Sequence, residues 1–228
     1  SQGGPLSPLM SNLVLDELDK ELEKRGHRFC LYGDDCNIYV KSRAAGERIL
    51  ASMKQFFAKR LKLQINESKS AAAPVEERQF LGYRLLQDGK LVIAEHSLDR
   101  LKDKVRHLTK RNRGVNLERV ITELNETLRG WINYFHLTQW LSQVRDLDSW
   151  IRHKIRCYRI KQCKKTWTLA KFLMNLGVPG YSAWLLAKSG KGWWRLSESI
   201  PVHHALNNTW FKKQGLINLT QKTTLVNT

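Results

Sequence analysis

Two adjacent carboxylates, Asp34 and Asp35, are the residues of this chain whose type and spacing most directly suggest chemistry. They follow Gly33 between two apolar runs, where like charges repel each other unless something positive offsets them. Carboxylate oxygens are ligands that Mg²⁺ prefers, and two metal ions can activate a 3′ hydroxyl and stabilise a leaving pyrophosphate. An Asp pair taken alone is more simply a solvated turn, so the surrounding elements must decide between these interpretations.

The sequence around the pair predicts a β hairpin followed by a helix and further strands. The alternating or β-forming runs predict strands at residues 28–32, 37–41 and 61–66. Apolar residues at helical spacing predict helices over residues 11–24, ending at Gly26, and over residues 44–60. The stretch 79–95 predicts a second hairpin that turns at Asp88 and Gly89.

After residue 97 the pattern changes to helices. Apolar positions at helical spacing predict three helices with basic outer faces, and a short helix, a Gly/Pro-rich turn, a β stretch at 193–196 and a last helix near 201–213 follow. The predicted fold class is therefore α+β, an antiparallel sheet with helices followed by a three-helix domain and a small C-terminal segment. The predicted domains are residues 1–95, 96–165 and 166–228.

Charge is unevenly distributed along the chain. The net charge is +18, but residues 1–50 carry −1 and residues 101–165 carry +10, and all eight tryptophans lie after residue 130. Basic charge with interleaved aromatics favours a nucleic-acid partner over a merely solvated face with tryptophans in the core. The candidate RNA-binding residues are Lys110, Arg111, Arg113, Arg152, Lys154, Arg156 and Arg159.

Other classes of function find little support in the sequence. The chain has no run of 18 apolar residues, so no membrane span is expected. The four cysteines show no CxxC spacing, which favours reduced thiols over a zinc site or a disulfide framework. His203 and His204 have no cysteine partners nearby, so an endonuclease-type zinc cluster is not predicted.

The order of motifs resembles that of reverse transcriptases encoded by group II introns. "QGGPLSPLMSNLVLDELDKEL" and "RFCLYGDDCNIYV" resemble the polymerase palm, and "QINESKS" and "QFLGYRL" follow at the family's spacing. "LRGWINYFHL" resembles the thumb-like maturase region, and the end of the chain looks like the C-terminal segment of one bacterial branch. The resemblance covers almost the whole chain.

The resemblance implies a function and a set of roles. It implies an RNA-directed DNA polymerase, a nucleotidyltransferase using Mg²⁺, with maturase binding of structured intron RNA for splicing and mobility. Asp34 and Asp35 would be catalytic metal ligands. Nucleotide and template would contact Gln2, Gly3, Gly4, Asn66 and Lys69, and the primer would contact Tyr32, Phe80, Leu81 and Gly82. The alternatives are a tight loop for Gln2–Gly4 and a surface lysine for Lys69.

The sequence departs from the family pattern at two places. Gly33 stands where the family most often has Ala, which removes one methyl and should leave metal binding intact. The family's further catalytic aspartate lies upstream of the glutamine-glycine motif, and Asp16 and Asp19 do not match it. We therefore expect the chain alone to lack DNA synthesis and to need a missing N-terminal half. A non-catalytic RNA-binding maturase fragment and an inactive remnant are the alternatives, and the expected location is the bacterial cytoplasm, as a ribonucleoprotein.

Overall fold

The computed structural model describes residues 7–33 and 35–221 of the chain. They form an α+β fold with small antiparallel sheets, which confirms the predicted fold class. The chain divides into two compact units between Gly89 and Lys90, called here unit 1 and unit 2. This division lies a few residues before the first boundary drawn from the sequence, and the predicted boundary near residue 165 falls inside unit 2.

Unit 1 begins with helix α1, Ser7–Lys24, and the hairpin of strands β1, Arg28–Tyr32, and β2, Asp35–Tyr39. Gly26, at a φ of 69°, ends α1. Its N–H donates to the backbone carbonyl of Glu23, and the N–H of His27 donates to the backbone carbonyl of Leu22. This double closure satisfies the last carbonyls of the helix and needs a residue that tolerates positive φ. The predicted helix, its end and the first strand are confirmed.

Helix α2, Arg43–Phe56, starts where the Ser42 hydroxyl accepts a hydrogen bond from the Ala45 N–H, and it continues as a π-helical turn, Phe57–Leu61. Lys62, at a φ of 57°, then turns the chain, and Leu63 donates back to the carbonyl of Phe57. The strand predicted over residues 61–66 is therefore wrong. The helical turn takes its first residue, and residues 62–66 are neither helix nor strand.

The core of unit 1 is small. Its buried hydrophobic residues in the described part of the chain are Leu18, Leu22 and Met53, and partly buried side chains surround them. These surrounding residues are Leu15, Phe29, Leu31, Ile38, Ile49, Phe56, Phe57 and Ile65. The core thus ties α1, α2 and one face of the hairpin together. A further hairpin closes unit 1, with β3 at Gln79–Phe80 paired to β4 at Tyr83–Leu85.

Unit 2 begins with the short strand β5, Leu91–Ile93, and continues as a helical body. Its first three helices confirm the prediction: α3, Glu95–Leu108; α4, Leu117–Tyr134; and α5, Leu141–Gln162. Each buries an apolar stripe, as Val105, Leu124 and Ile151 illustrate. No helix in the described part of the chain is both long and apolar enough to cross a membrane.

The C-terminal part of unit 2 contains more helix than the sequence predicts. Its helices are α6, Thr166–Asn175; α7, Gly180–Lys188; α8, Trp193–Leu196; α9, Ile200–Ala205; and α10, Asn208–Lys213. The β stretch predicted at 193–196 is wrong, because Ser197 and Ser199 hydroxyls donate to carbonyls of α8 and the segment packs as a helical turn. The predicted last helix is two helices, because Asn207 caps a new start through the N–H of Trp210.

Candidate active-site hairpin and nucleic-acid interface

The Asp-Asp motif lies at the tip of the β1–β2 hairpin. Tyr32 pairs with Asp35, and Gly33 lies in the connection between the strands. Gly33 has a φ of 57°, a conformation that glycine adopts at little cost and that suits two-residue hairpin turns. Asp34 lies outside the described residues, and so do Gln2, Gly3 and Gly4. Their predicted roles therefore stay predictions.

The two faces of this hairpin differ in character. Side chains alternate along a strand, so Phe29, Leu31 and Ile38 point to the core of unit 1. Tyr32 and Asp35, which are opposite each other, share the other face, and both are exposed, Tyr32 at 65%. The hairpin therefore presents a carboxylate and an aromatic ring opposite each other on its exposed face, the one that does not pack on the core.

Cys36 adjoins Asp35 but belongs to the opposite face, because it pairs with Leu31. Desolvation, and then the negative charge of Asp19, raises the pKa of Cys36 to about 11. The thiol is therefore protonated at neutral pH, although the residue as a whole is exposed. A protonated thiol is a poor metal ligand, so carboxylate oxygens are the donors this tip offers. Such donors fit Mg²⁺.

The described residues contain no group of three or more His, Cys, Asp or Glu side chains placed to hold a metal ion together. Asp34 is not among the described residues, so this finding concerns Asp35 and its described neighbours. Asp35 is exposed and starts a strand whose backbone is fixed by pairing with β1. The backbone at Asp35 is therefore fixed, and its side chain is accessible.

The segment with Asn66 and Lys69 forms a tight turn. The side-chain oxygen of Asn66 accepts hydrogen bonds from the N–H of Ser68 at 3.1 Å and from the Ser68 hydroxyl at 2.7 Å. Its carbonyl accepts from the N–H groups of Lys69 and Ser70. Asn66 thus organises the turn that presents Lys69, whose side chain is exposed. This geometry accounts for Asn66 structurally and leaves the ammonium of Lys69 accessible to an anion.

The residues Phe80, Leu81 and Gly82 build the β3–β4 turn. Phe80 pairs with Tyr83, and the two connecting residues both have positive φ, 53° for Leu81 and 76° for Gly82. Two positive φ values define the mirror-image turn that matches the twist of a hairpin, and leucine is an unusual first residue for it. The sequence predicted a turn further on, at Asp88 and Gly89. A turn does form there, and the Gly89 N–H donates to the Leu86 carbonyl at 2.9 Å. The turn at Leu81–Gly82 was missed.

In unit 2 several of the predicted RNA-binding cations serve the fold. Arg156 is 7% exposed, its Nε donates to the carbonyl of Leu206 at 3.0 Å, and burial lowers its pKa to about 10. Arg152 contacts Asp148 at 2.5 Å, and Arg113 donates to the Leu108 carbonyl and to Glu123. We therefore leave Arg156 out of the interface proposed below.

A different group of cations lies around Lys154 and is called here the Lys154 cluster, comprising Arg106, Arg111, Trp150, Lys154 and Trp194. The Lys154 ammonium lies 5.4 Å from the ring centre of Trp150 and 4.7 Å from that of Trp194, and the guanidinium of Arg106 is 5.6 Å from Trp150. Arg111 reaches the same region, with its guanidinium 3.9 Å from the Cys157 sulfur. Lys154 and Arg106 thus lie over the two rings, and Arg111 adds a third positive charge close enough to act on Lys154.

The electrostatics of the Lys154 cluster favour an anion. Burial, together with the positive charges of Arg106 and Arg111, lowers the pKa of Lys154. Arg106 also pairs with the Asp103 carboxylate at 2.6 Å, but this pair is exposed and contributes little at the surface. Mutual repulsion among cations is relieved when a phosphate binds. Sequence reasoning missed Arg106 and Trp194, because they reach Lys154 from α3 and α8, and it also missed Trp150, one turn before Lys154 on α5.

His153 completes one side of this region. Its ring stacks on Trp194 with centroids 3.5 Å apart, Nδ1 lies 3.1 Å from a Glu198 carboxylate oxygen, and Nε2 lies 3.1 Å from the carbonyl oxygen of Trp194. These contacts fix Trp194 against α5. The indole that Lys154 overlies is therefore held in place before any ligand arrives.

Comparison with known families identifies the two parts of the chain. The model of the reverse transcriptase (RNA-dependent DNA polymerase) family matches residues 1–85, and that of the group II intron, maturase-specific domain matches residues 98–177. No curated protein matches the chain. The first match contains the Asp-Asp hairpin and the β3–β4 turn, and the second contains most of α3 and all of α4, α5 and α6.

A reverse transcriptase domain followed by a group II intron maturase-specific domain is the arrangement of the reverse transcriptase/maturases encoded by these introns. The two matches support an intron-encoded reverse transcriptase/maturase fragment, as the motifs predicted. The segment after residue 177, which includes α7 to α10, lies beyond both matches.

Proposed function

We propose that this chain contributes to an RNA-directed DNA polymerase that also binds its intron RNA as a maturase. The observation that carries the proposal is the exposed pairing of Tyr32 with Asp35 at the tip of the hairpin, inside the segment that matches reverse transcriptases. In this proposal Asp34 and Asp35 hold Mg²⁺, and Tyr32 and residues 80–82 lie along the primer. Gln2, Gly3, Gly4, Asn66 and Lys69 face template and nucleotide.

The chemistry asked of these residues is modest. Mg²⁺, when bound, supplies positive charge that lowers the pKa of a 3′ hydroxyl and offsets charge on the leaving pyrophosphate. Backbone pairing fixes the place of Asp35 on the hairpin, and the exposed Tyr32 ring opposite it offers an apolar support for a primer terminus. The ammonium of Lys69, presented by the Asn66 turn, can offset triphosphate charge.

Intron RNA is the partner proposed for unit 2, with primer and template for unit 1. The Lys154 cluster supports this part, because three cations and two indoles match a phosphate backbone with neighbouring bases. Lys110, which precedes Arg111 in the sequence, is exposed. The Arg159 guanidinium lies 4.1 Å from the ring centre of Phe172. A bacterial cytoplasmic ribonucleoprotein is the proposed setting, taken from the family resemblance.

The catalytic part is tested by Asp34→Asn and Asp35→Asn, assayed for primer extension on an RNA template in a polymerase-competent preparation. We expect extension to fall by about a thousandfold or more for Asp34→Asn, because its carboxylate serves the metal. RNA affinity measured on the same preparation should stay unchanged. A parallel loss of RNA affinity would show that Asp34 supports the fold or the RNA site instead.

The RNA-binding part is tested by titrating the full chain against a folded intron-like RNA and an unstructured RNA of equal length. About six phosphate contacts should reduce affinity by about a thousandfold between about 50 and 200 mM salt. Binding that does not respond to salt would overturn this part. Equal affinity for the two RNAs would leave a polyanion-binding protein and remove the maturase assignment.

A second candidate is RNA binding without catalysis, favoured by the fact that the Lys154 cluster is built within unit 2 alone. It predicts salt-dependent binding of intron RNA together with no primer extension under any Mg²⁺ concentration. Primer extension abolished by Asp34→Asn would exclude it.

A further inference from the structure

The chain contains a long acid-free stretch. Between Asp148 and Glu198 the sequence has no Asp or Glu and eleven Lys or Arg residues. This stretch includes α7, which lies beyond the segment that matches the maturase-specific domain. The charged Lys and Arg side chains of this stretch are all positive, which favours a negatively charged partner.

One face of α7 is aromatic and accessible. Tyr181 is 81% exposed and Leu185 is 62% exposed, and with Lys188 they follow the spacing of one helix face. Trp184 adjoins this face, and the Lys188 ammonium lies 5.7 Å from its ring centre. The opposite side of the helix, with Ala183 and Leu186, is buried in the core of unit 2. These core contacts fix the helix that presents the exposed side chains.

The neighbouring helix α6 repeats this arrangement of a ring with a cation. Trp167 is 58% exposed, and the Lys171 ammonium lies 4.6 Å from its ring centre. Aromatic rings with lysines over them suit stacked bases with phosphates alongside, because bases offer flat π faces and the backbone supplies the charge. An apolar protein groove would match the rings but would leave the lysines without partners.

We propose that the α7 face formed by Tyr181, Trp184, Leu185 and Lys188 binds unpaired bases of single-stranded RNA. Tyr181 stacks on a base, and Lys188 contacts the adjoining phosphate. Paired bases are stacked inside a duplex and cannot cover the ring, so this face prefers unpaired segments. The inference rests on the proposed RNA-binding function of unit 2 and adds a contact outside the Lys154 cluster.

The test uses the full chain and two probes, an oligo(A) of about 12 nucleotides and an RNA duplex of about 12 base pairs, at about 100 mM salt. Tyr181→Ala should weaken single-strand affinity by about tenfold, which is the loss of one stacked base. Tyr181→Phe keeps the ring and should bind within about twofold of the wild type. Duplex affinity should not change, and Tyr134→Ala, which removes a tyrosine 53% exposed on α4, should affect neither probe.

Four results would overturn the inference. If Tyr181→Ala leaves single-strand affinity unchanged, Tyr181 does not stack on a base. If the variant folds normally and loses affinity equally for both probes, the contact does not distinguish unpaired from paired RNA. A wild-type dimer that Tyr181→Ala dissociates assigns the face to a second copy of the chain. Wild-type protein that binds neither probe defeats the proposed RNA-binding function as well, which separates that failure from the others.

Discussion

Units 1 and 2 place their chemistry in opposite ways. Unit 1 carries the recognisable motifs on exposed turns, and the fully buried hydrophobic residues among its described positions are Leu18, Leu22 and Met53. Unit 2 has a continuous core along α3, α4 and α5, and it also buries charged side chains such as Asp148 and Arg156. A residue type in unit 1 therefore indicates its role, whereas in unit 2 the same residue type serves either the fold or a ligand.

The difference matters most for cations. Arg152 and Lys154 are close in sequence, yet Arg152 is neutralised by Asp148 while Lys154 lies among other cations and indoles. Arg152 pairs with a carboxylate one turn away on its own helix, whereas Lys154 lies near Trp150 of α5 and Trp194 of α8. Four substitutions test this contrast, beginning with the largest expected effect.

Leu22→Ala should destabilise unit 1 by about 4 kcal/mol, because it leaves a cavity in a very small core. Hydrogen exchange should show loss of protection in α1 and the hairpin, with α3 to α5 retaining theirs. Leu9→Ala is the matched control, since Leu9 is on the same helix and 56% exposed, and it should change stability by less than about 0.5 kcal/mol. Intact protection in unit 1 would contradict the small-core account.

Asp148→Ala should destabilise unit 2 by about 3 kcal/mol, because it leaves the Arg152 guanidinium without its buried partner. It also removes the acceptor of the Leu219 N–H. Chemical denaturation followed by circular dichroism measures the effect. Asp146→Ala, an exposed neighbour on the same helix, should be close to neutral. Equal effects of the two substitutions would show that burial does not set the role of Asp148.

Lys154→Ala should weaken RNA binding by about fivefold, roughly 1 kcal/mol, with little loss of stability. Lys104→Ala removes the same charge from an exposed position of α3 outside the cluster and should have a smaller effect. The lowered pKa of Lys154 rises when phosphate binds, so affinity should be greatest below that pKa and fall as pH rises through it. Titrations between about pH 7 and 10 test this, and the fall should be absent in Lys154→Ala.

Leu81→Asn should stabilise unit 1 by about 0.5 to 1 kcal/mol, because asparagine tolerates positive φ better than leucine does. The same change should weaken primer binding if Leu81 lies along the primer, so stability and function would move in opposite directions. Leu63→Asn, at an exposed leucine without positive φ, should bring no gain. Destabilisation by Leu81→Asn would mean that the contacts of the leucine side chain outweigh its backbone strain.

Local pattern was enough to predict many of the elements. Strand β1 and helices α3 to α5 follow from alternation and helical spacing, since each buries one regular stripe. Helix α7 was missed because its sequence, GYSAWLLAK, is apolar on most sides and carries no acidic residue in its first turn. The turn at Leu81–Gly82 was missed because leucine gives no signal for positive φ.

The sequence by itself determined the class of protein, through the order of its motifs, and the positive sign of its net charge. Tertiary structure decided that residues 62–66 are not a strand and that residues 193–196 are helical, because strands need partners and these segments have helical or core contacts instead. It also decided that Arg156 supports the fold while Lys154 faces other cations. Both residues carry the same charge, and their roles differ because burial and long-range partners, which no local pattern contains, set the cost of that charge.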